Sequence, residues 1–354
     1  MNTRPEISVI LPCRNEEESL DFCLNQIKKT IKQHNLSAEI IVSDSSTDKS
    51  PQIAQKHNVV LLKHNKEGYG MAYLEAFKIA KGKYFFMADC DGTYDFNDIP
   101  IFLKYLNEGY DFILGNRFAG KMEKGSMPFL NRYLGNPVLS GTLRLFFSTK
   151  IKDSHSGMRA VKRGAILKMR LQTTGMEFAS EMIIKAIRNN LKIKETPINY
   201  YRRRGKSKLK PFSDAWKHAR FMLLYSPLFL FFIPGALLFL IGFLLMIRPN
   251  VLDQEFFTPA LMMITGYQLI VFSAFAKTYS IVHLKEQSPI MNKLYQYITI
   301  ERASILGIII AILGIIIYFL MPIPNSIMAL TLITIGVQTI FSSFMLSILG
   351  IKEK

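Results

Sequence analysis

The residues Lys83-Tyr84-Phe85-Phe86-Met87-Ala88-Asp89-Cys90-Asp91-Gly92-Thr93-Tyr94-Asp95 decide how this chain is read. An apolar, aromatic run bounded by a lysine and an acidic cluster predicts a buried parallel strand. Open α/β sheets bind ligands beyond the carboxyl ends of their strands, which puts a site at Asp89 and Asp91. Alternate residues of extended backbone point the same way, so both carboxylates can face one ligand unless the chain turns at Cys90. Two hard oxygen donors beside a phosphate suit Mg²⁺ or Mn²⁺, with substrate oxygens and water completing the shell. An ordinary polar strand end is the plain alternative, because Asp-x-Asp is frequent by chance.

Working outward, residues 7–11, 39–43, 59–63 and 112–116 predict four further strands. Pro12-Cys13-Arg14-Asn15-Glu16-Glu17-Glu18 ends the first and opens a helix, with Asn15 as its N-cap. Leu20, Cys23, Leu24, Ile27 and Ile31 give that helix one apolar face. Gly68-Tyr69-Gly70 leads into another helix through Ala72, Phe77 and Ala80. Strands alternating with helices imply an α/β fold, with a mostly parallel sheet and right-handed crossovers.

The 354 residues allow two or three domains, and the hydrophobic excess lies after Arg220. Net charge is +17, unevenly spread. Residues 1–116 carry 13 Lys+Arg against 16 Asp+Glu, residues 117–220 carry 24 against 6, and the remainder 7 against 5. A basic segment beside apolar spans suits anionic membrane lipids and argues against nucleic acid as the partner. Cys13, Cys23 and Cys90 show neither disulfide nor zinc spacing, as expected in a reducing compartment. The apolar stretch 7–11 is too short for a secretion signal, so the amino-terminal domain is expected to stay in the cytosol.

Pro12-x-Arg14-Asn15-Glu16-Glu17, Asp44-Ser45-Ser46-Thr47-Asp48, Gly68-x-Gly70 and Asp89-x-Asp91 stand in order, each after an expected strand. The series resembles that of inverting family-two glycosyltransferases. The resemblance implies an A-type, Rossmann-like glycosyltransferase domain in which Pro12, Arg14 and Glu16 line a nucleoside pocket. It implies that Asp44 meets the base or ribose, that Gly68 and Gly70 belong to the nucleotide-sugar site, and that Asp89 and Asp91 hold the metal. Where the family usually has two aspartates and a glycine, this chain has Ser43-Asp44-Ser45, which leaves the base open.

Gly115-Asn116-Arg117-Phe118, Asp153-Ser154-His155-Ser156-Gly157-Met158-Arg159 and Tyr200-Tyr201-Arg202-Arg203-Arg204-Gly205-Lys206-Ser207-Lys208-Leu209 extend the likeness. They resemble the branch of dolichol-phosphate mannose synthases and polyprenyl-phosphate glycosyltransferases. In that branch the matching Arg117, Arg203, Ser207 and Lys208 face phosphates of the acceptor and donor, and Asp91, Asp153 and Arg117 form the catalytic group. A polybasic, lipid-contacting stretch is the alternative for residues 202–210. The Gln-x-x-Arg-Trp motif of processive synthases is absent, so a single-sugar transfer is expected. His155 reads as a loop histidine, since no second His or Cys lies near it in sequence. Glu177 and Glu181 share one helical face and serve either as a base or as a structural pair.

Residues 138–147 read as a core helix or an interfacial one, with the interface favoured; residues 212–220, holding Trp216, form the stronger interfacial segment. Residues 221–247, 259–280, 303–321 and 327–349 are each long enough to span a bilayer, with Pro227 and Pro234 starting or kinking the first. The expected domains are therefore a cytosolic transferase (1–210), an amphipathic juxtamembrane segment (211–222) and a four-helix transmembrane domain (223–354). An even number of spans keeps both termini cytosolic. Expected partners are a nucleotide sugar, a polyprenyl or dolichyl phosphate and membrane lipids, with a homo-oligomer left open. Transfer to a lipid hydroxyl, or a lipid-sugar translocating role for the spans, are the alternatives.

Overall fold

The computed structural model describes residues 4–205, 211–247, 257–282, 299–320 and 326–350. Two compact units divide the chain, Met1–Met222 and Leu223–Lys354.

The first unit is built on seven strands: β1 (Ile7–Cys13), β2 (Ala38–Asp44), β3 (Val60–Lys63), β4 (Tyr84–Met87), β5 (Phe112–Asn116), β6 (Arg159–Lys162) and β7 (Ile193–Pro197). Their order is β3-β2-β1-β4-β6-β5-β7, and only β6 runs antiparallel to its neighbours. All four residues of β4 are buried, as a doubly covered parallel strand requires. Ile7, Val9 and Leu11 of β1 and Phe86 of β4 pack with Leu20, Leu24 and Ile27 of α1 (Leu20–Gln33) and Phe102 of α4 (Ile99–Asn107). Sequence order and sheet order reverse between β1 and β4, so a crevice opens at their carboxyl ends.

Two strands escape sequence patterning. β6 offers only Ala160 and Val161 between charged ends, and the mixed sequence of β7 lies at the sheet edge. Both owe their extended form to pairing with β5, through Phe112↔Val161 and Phe112↔Ile193. The expected cap at Asn15 is also corrected. Helix α1 begins at Leu20 behind Ser19, and Asn15 adopts φ 54°, its Oδ1 accepting the Thr47 amide at 2.8 Å. An asparagine tolerates this left-handed backbone by bonding locally. The remaining helices of this unit are α2 (Ser50–Lys56), α3 (Tyr69–Ile79), α5 (Asn136–Phe147), α6 (Arg163–Met169), α7 (Phe178–Arg188) and most of α8 (Pro211–Leu224).

The second unit holds α9 (Ile233–Met246), α10 (Phe257–Val282), α11 (Ile300–Leu320) and α12 (Ser326–Leu349). With the π turn Leu228–Phe232 joined to α9, four helices are long and apolar enough to cross a bilayer, the signature of an integral membrane protein. That turn directly precedes Ile233-Pro234, and a second π turn, Asn131–Gly135, directly precedes Asn136-Pro137 of α5. Proline has no N–H for the usual i→i−4 bond, and widening the preceding turn accommodates the loss. The span thus begins at Leu228, later than position 221, where it was expected.

Candidate active site

Three loops meet at the β1/β4 crevice. Glu16 follows β1, Asp89 and Asp91 follow β4, and the segment after β7 lies across them, with the Tyr201 amide bonded to the Thr93 carbonyl and the Arg204 amide to the Asp91 carbonyl. Arg203 is thereby carried to the carboxylates. Its Nη1 donates to Asp91 Oδ2 at 2.8 Å and its Nη2 donates to Glu16 Oε1. Asp91 Oδ1 accepts from the Thr93 amide (3.0 Å) and hydroxyl (2.6 Å), which fixes the carboxylate. Gly92, at φ 81°, supplies the turn between them.

Burial, then the charge of Asp91, pushes the Asp89 carboxyl up to about 7. The charge on Asp89 is thus held at a cost, and a nearby cation would relieve it. Gly157 forms the floor. A side chain there would collide with Asp89 Oδ2, and its amide donates to Tyr94 Oη at 2.7 Å. Gly157 had no role in the sequence reading, because only the tertiary fold places it beneath Asp89. Asp44 is fully buried at the end of β2, and neither carboxylate oxygen has a hydrogen-bond partner among the described residues. A buried carboxylate in that condition is costly unless a ligand donor satisfies it.

Arg117 and Asp153 come together, but away from solvent. Arg117 Nε and Nη2 donate to the two Asp153 oxygens, both at 2.8 Å, and the Arg117 amide adds a third bond at 3.0 Å. Both side chains are buried, and the guanidinium lies 5.3 Å from the Tyr200 ring centroid. Burial alone would lower the Arg117 pKa, but the Asp153 charge overrides it and holds the pKa well above the ordinary value. Arg117 therefore anchors the loop after β5 through its amide, Nε and Nη2 donors, and Nη1 takes no part in that pair.

The Gly68 and Gly70 positions also have a packing explanation. Side chains there would collide with the Thr174 and Thr173 carbonyl oxygens, and the Gly70 amide donates to Gly175 O at 3.2 Å. Arg14 is exposed and pairs with Glu67 at 2.6 Å, while the Pro12 carbonyl accepts from the Cys90 thiol at 3.2 Å. Ser207 and Lys208 lie outside the described residues.

Glu181 is fully buried, accepting from the Gln172 and Thr173 amides and the Thr173 hydroxyl and pairing with Lys185. It is structural. His155 has a histidine neighbour after all. His218 of α8 meets it edge to face with centroids 4.2 Å apart, and Ser180 Oγ contacts His155 Nε2 at 3.3 Å and His218 Nδ1 at 2.9 Å. Arg159, also buried, bonds the Ser154, Ser156 and Ala179 carbonyls and so shapes the loop that carries Asp153 and Gly157.

This geometry agrees with comparison to known proteins. The profile of glycosyl transferase family 2 matches residues 8–170. The low-salt glycan biosynthesis hexosyltransferase Agl6 of Haloferax volcanii is 35% identical over 369 aligned positions, covering 98% of this chain and 89% of that protein. The dolichyl-phosphate hexose transferase of the same organism is 30% identical over 212 residues, covering 60% of this chain and 90% of its own. The fold resembles glucosyl-3-phosphoglycerate synthase from Mycobacterium tuberculosis, solved with Mn²⁺, UDP-glucose and phosphoglyceric acid, with a TM-score of 0.52 at 19% identity over 62% of this chain and 79% of that one. With a relative at this identity over nearly the whole chain and a matching fold, the chain belongs to glycosyl transferase family 2 and is a glycosyltransferase with an A-type fold.

Proposed function

We propose that the protein transfers a single hexose from a nucleotide diphosphosugar to a polyprenyl or dolichyl phosphate, with inversion, at the cytosolic face of a membrane. The observation that carries this reading is the cluster Glu16–Arg203–Asp91 beside Asp89 at the β1/β4 crevice. It sets carboxylates and a guanidinium side by side where a diphosphate is expected. The lipid-phosphate acceptor is supported by the dolichyl-phosphate hexose transferase among the relatives and by the four spans.

The donor set fits a hard divalent cation such as Mg²⁺ or Mn²⁺. Asp89 and Asp91 supply oxygen ligands only, and the raised pKa of Asp89 is what a cation would reverse. Among the described residues no third His, Cys, Asp or Glu completes a protein-only cage, so substrate oxygens would share the ion. When bound, the cation would neutralise charge on the leaving nucleoside diphosphate. Arg203 would exchange its bonds to Asp91 and Glu16 for a bidentate contact to a phosphate, and Asp44 would accept a hydrogen bond from the nucleoside. An acceptor phosphate oxygen attacks the anomeric carbon, the bond to the diphosphate breaks, and the released pair stays on the nucleotide. Such a nucleophile is already anionic near neutral pH, so no strong base is needed. Transfer to a lipid hydroxyl would need one, such as Glu177 or Glu181, and of these two Glu181 is already engaged in structural bonds.

Residues 1–210 would perform the chemistry, with 211–222 at the interface and 223–354 in the bilayer. Trp216 is 61% exposed, and Phe129, Leu130, Tyr133, Leu134, Val138 and Leu145 form an exposed apolar strip along the π turn and α5. Lipid contact is a natural use for both.

The test uses membranes holding the full chain, a panel of radiolabelled nucleotide sugars and polyprenyl phosphate. An acid-labile lipid product is expected, lost in Asp91→Asn and in excess chelator and restored by Mg²⁺ or Mn²⁺. An acid-stable glycolipid, or full activity in chelator, overturns the acceptor or the metal assignment respectively.

A further inference from the structure

The four spans carry an internal likeness that neither the catalytic chemistry nor the relatives' names address. Gly266-Tyr267-Gln268-Leu269-Ile270-Val271-Phe272-Ser273 of α10 and Gly336-Val337-Gln338-Thr339-Ile340-Phe341-Ser342-Ser343 of α12 share the pattern Gly-x-Gln-x-Ile-x-x-Ser. The preceding helices share a second pattern. Gly235 and Gly242 of α9 are seven residues apart, as are Gly307 and Gly314 of α11.

The packing repeats with the sequence. A Cβ on Gly235 would lie 2.8 Å from the Gly266 carbonyl oxygen and 3.0 Å from the Ile270 nitrogen. On Gly307 it would lie 2.7 Å from the Gly336 oxygen and 3.0 Å from the Ile340 nitrogen. Gly242 meets the Pro259 oxygen (2.7 Å) and Met263 nitrogen (2.9 Å), and Gly314 meets the Ala329 oxygen (2.7 Å) and Ile333 nitrogen (2.9 Å). Every backbone partner in one set is the counterpart, by sequence position, of the backbone partner in the other. Both pairs are antiparallel hairpins in which glycine lets two backbones touch, the close approach that small residues give membrane helices. Chance glycines in two unrelated hairpins would not meet matching partners at four positions.

The hairpins also meet at matching residues. Gln338 Nε2 donates to Gln268 Oε1 at 3.0 Å, and these are counterparts in the repeat. Spans that alternate in direction make α10 and α12 parallel. Counterpart residues in contact on parallel helices lie on a two-fold axis along the membrane normal, as in an isologous contact between identical subunits. One of the two bonds such an axis would demand is made, and Gln338 Oε1 has no partner among the described residues.

We infer that the membrane unit is one helical hairpin used twice, the copies related by a pseudo-two-fold axis through Gln268 and Gln338. The α10/α12 surface is self-complementary, and its partner is a second copy of the same hairpin, already supplied within the chain. A paired amide at this depth fixes the level at which the hairpins meet, since sliding would strand both polar groups in hydrocarbon.

The symmetry is tested by distances in the full-length protein in lipid nanodiscs. A two-fold axis requires equal separations for reciprocal pairs, whatever their value. Nitroxide labels at Leu261→Cys with Ser347→Cys, and at Lys277→Cys with Thr331→Cys, form such a pair, and the three native cysteines are buried in the other unit. Equal inter-label distances by electron–electron double resonance are expected; a difference greater than one helical turn, about 5.4 Å, overturns the axis. Folding is checked by a second variant. Gln268→Cys with Gln338→Cys should be joined by a short bifunctional thiol cross-linker that replaces the length of the two amides and holds the halves together after cleavage at a protease site inserted between residues 283 and 298. Failure to cross-link in protein that is monodisperse and binds nucleotide overturns the contact itself.

Discussion

The two units are held by opposite means. In the amino-terminal unit the decisive contacts are between charged side chains: Arg117 with Asp153, Arg203 with Asp91 and Glu16, and Glu181 with Lys185 and two amides. In the membrane unit they are between backbones, at Gly235, Gly266, Gly307 and Gly336, with a few hydroxyl and amide bonds between helices. The difference follows from the solvent. In water apolar burial drives collapse and polar pairs choose among compact arrangements, whereas in hydrocarbon close van der Waals packing must itself hold helices together.

The sharpest way to break this contrast is to remove one member of the buried ion pair. Asp153→Ala leaves a buried guanidinium without its counter-charge and should destabilise the first unit by about 3–5 kcal/mol. Fluorescence of Trp216, the chain's single tryptophan, follows that unit during thermal unfolding. Arg117→Lys keeps the charge but loses the fork and should fall between. Unchanged melting in both would mean the pair is not what orders this loop.

Acid should expose the next weakness. Burial first, then Arg159, lowers His218 from 6.5 to about 4, and burial and His218 hold His155 well below the usual range. Between pH 6.5 and 4 the unfolded chain takes up the proton and the folded one does not. Stability is therefore complete above pH 6.5 and declines as pH falls, by about 3 kcal/mol for His218 alone at 1.36 kcal/mol per unit. His218→Gln should flatten the acid limb of a stability-against-pH curve; an unaltered slope would remove the histidine pair from the account.

A smaller loss is expected from overpacking the spans. Gly307→Ala and Gly235→Ala each force a methyl against a facing carbonyl and should cost about 1–3 kcal/mol, with the two effects similar if the hairpins are copies. Thermal aggregation of the detergent-solubilised chain reads this, and a tolerated alanine at either site would show that the backbones can part. The smallest effect belongs to Arg14→Ala. Its pair with Glu67 has side chains 48% and 67% exposed, so stability should change by less than about 1 kcal/mol. A fall in nucleotide-sugar affinity measured by calorimetry, at unchanged stability, would place Arg14 in the donor pocket; unchanged affinity would exclude it.

Local pattern determined five strands, the fold class, the four apolar spans and the place of Asp89 and Asp91 at the carboxyl end of a strand, and the family resemblance brought Glu16 to the same site. Those features rest on periodicity and on strand ends, which neighbouring residues encode. Tertiary structure alone decided the rest. The strands β6 and β7 exist because β5 pairs with them, and Gly157 matters because it lies beneath Asp89. Arg117 carries the charge of a phosphate ligand, yet Asp153, far along the chain, takes its Nε and Nη2 donors. His155 gains a neighbour only when α8 packs on α7 through Ser180. Each of these depends on contacts between residues distant in sequence, and a one-dimensional pattern carries the donors and acceptors without saying which of them pair.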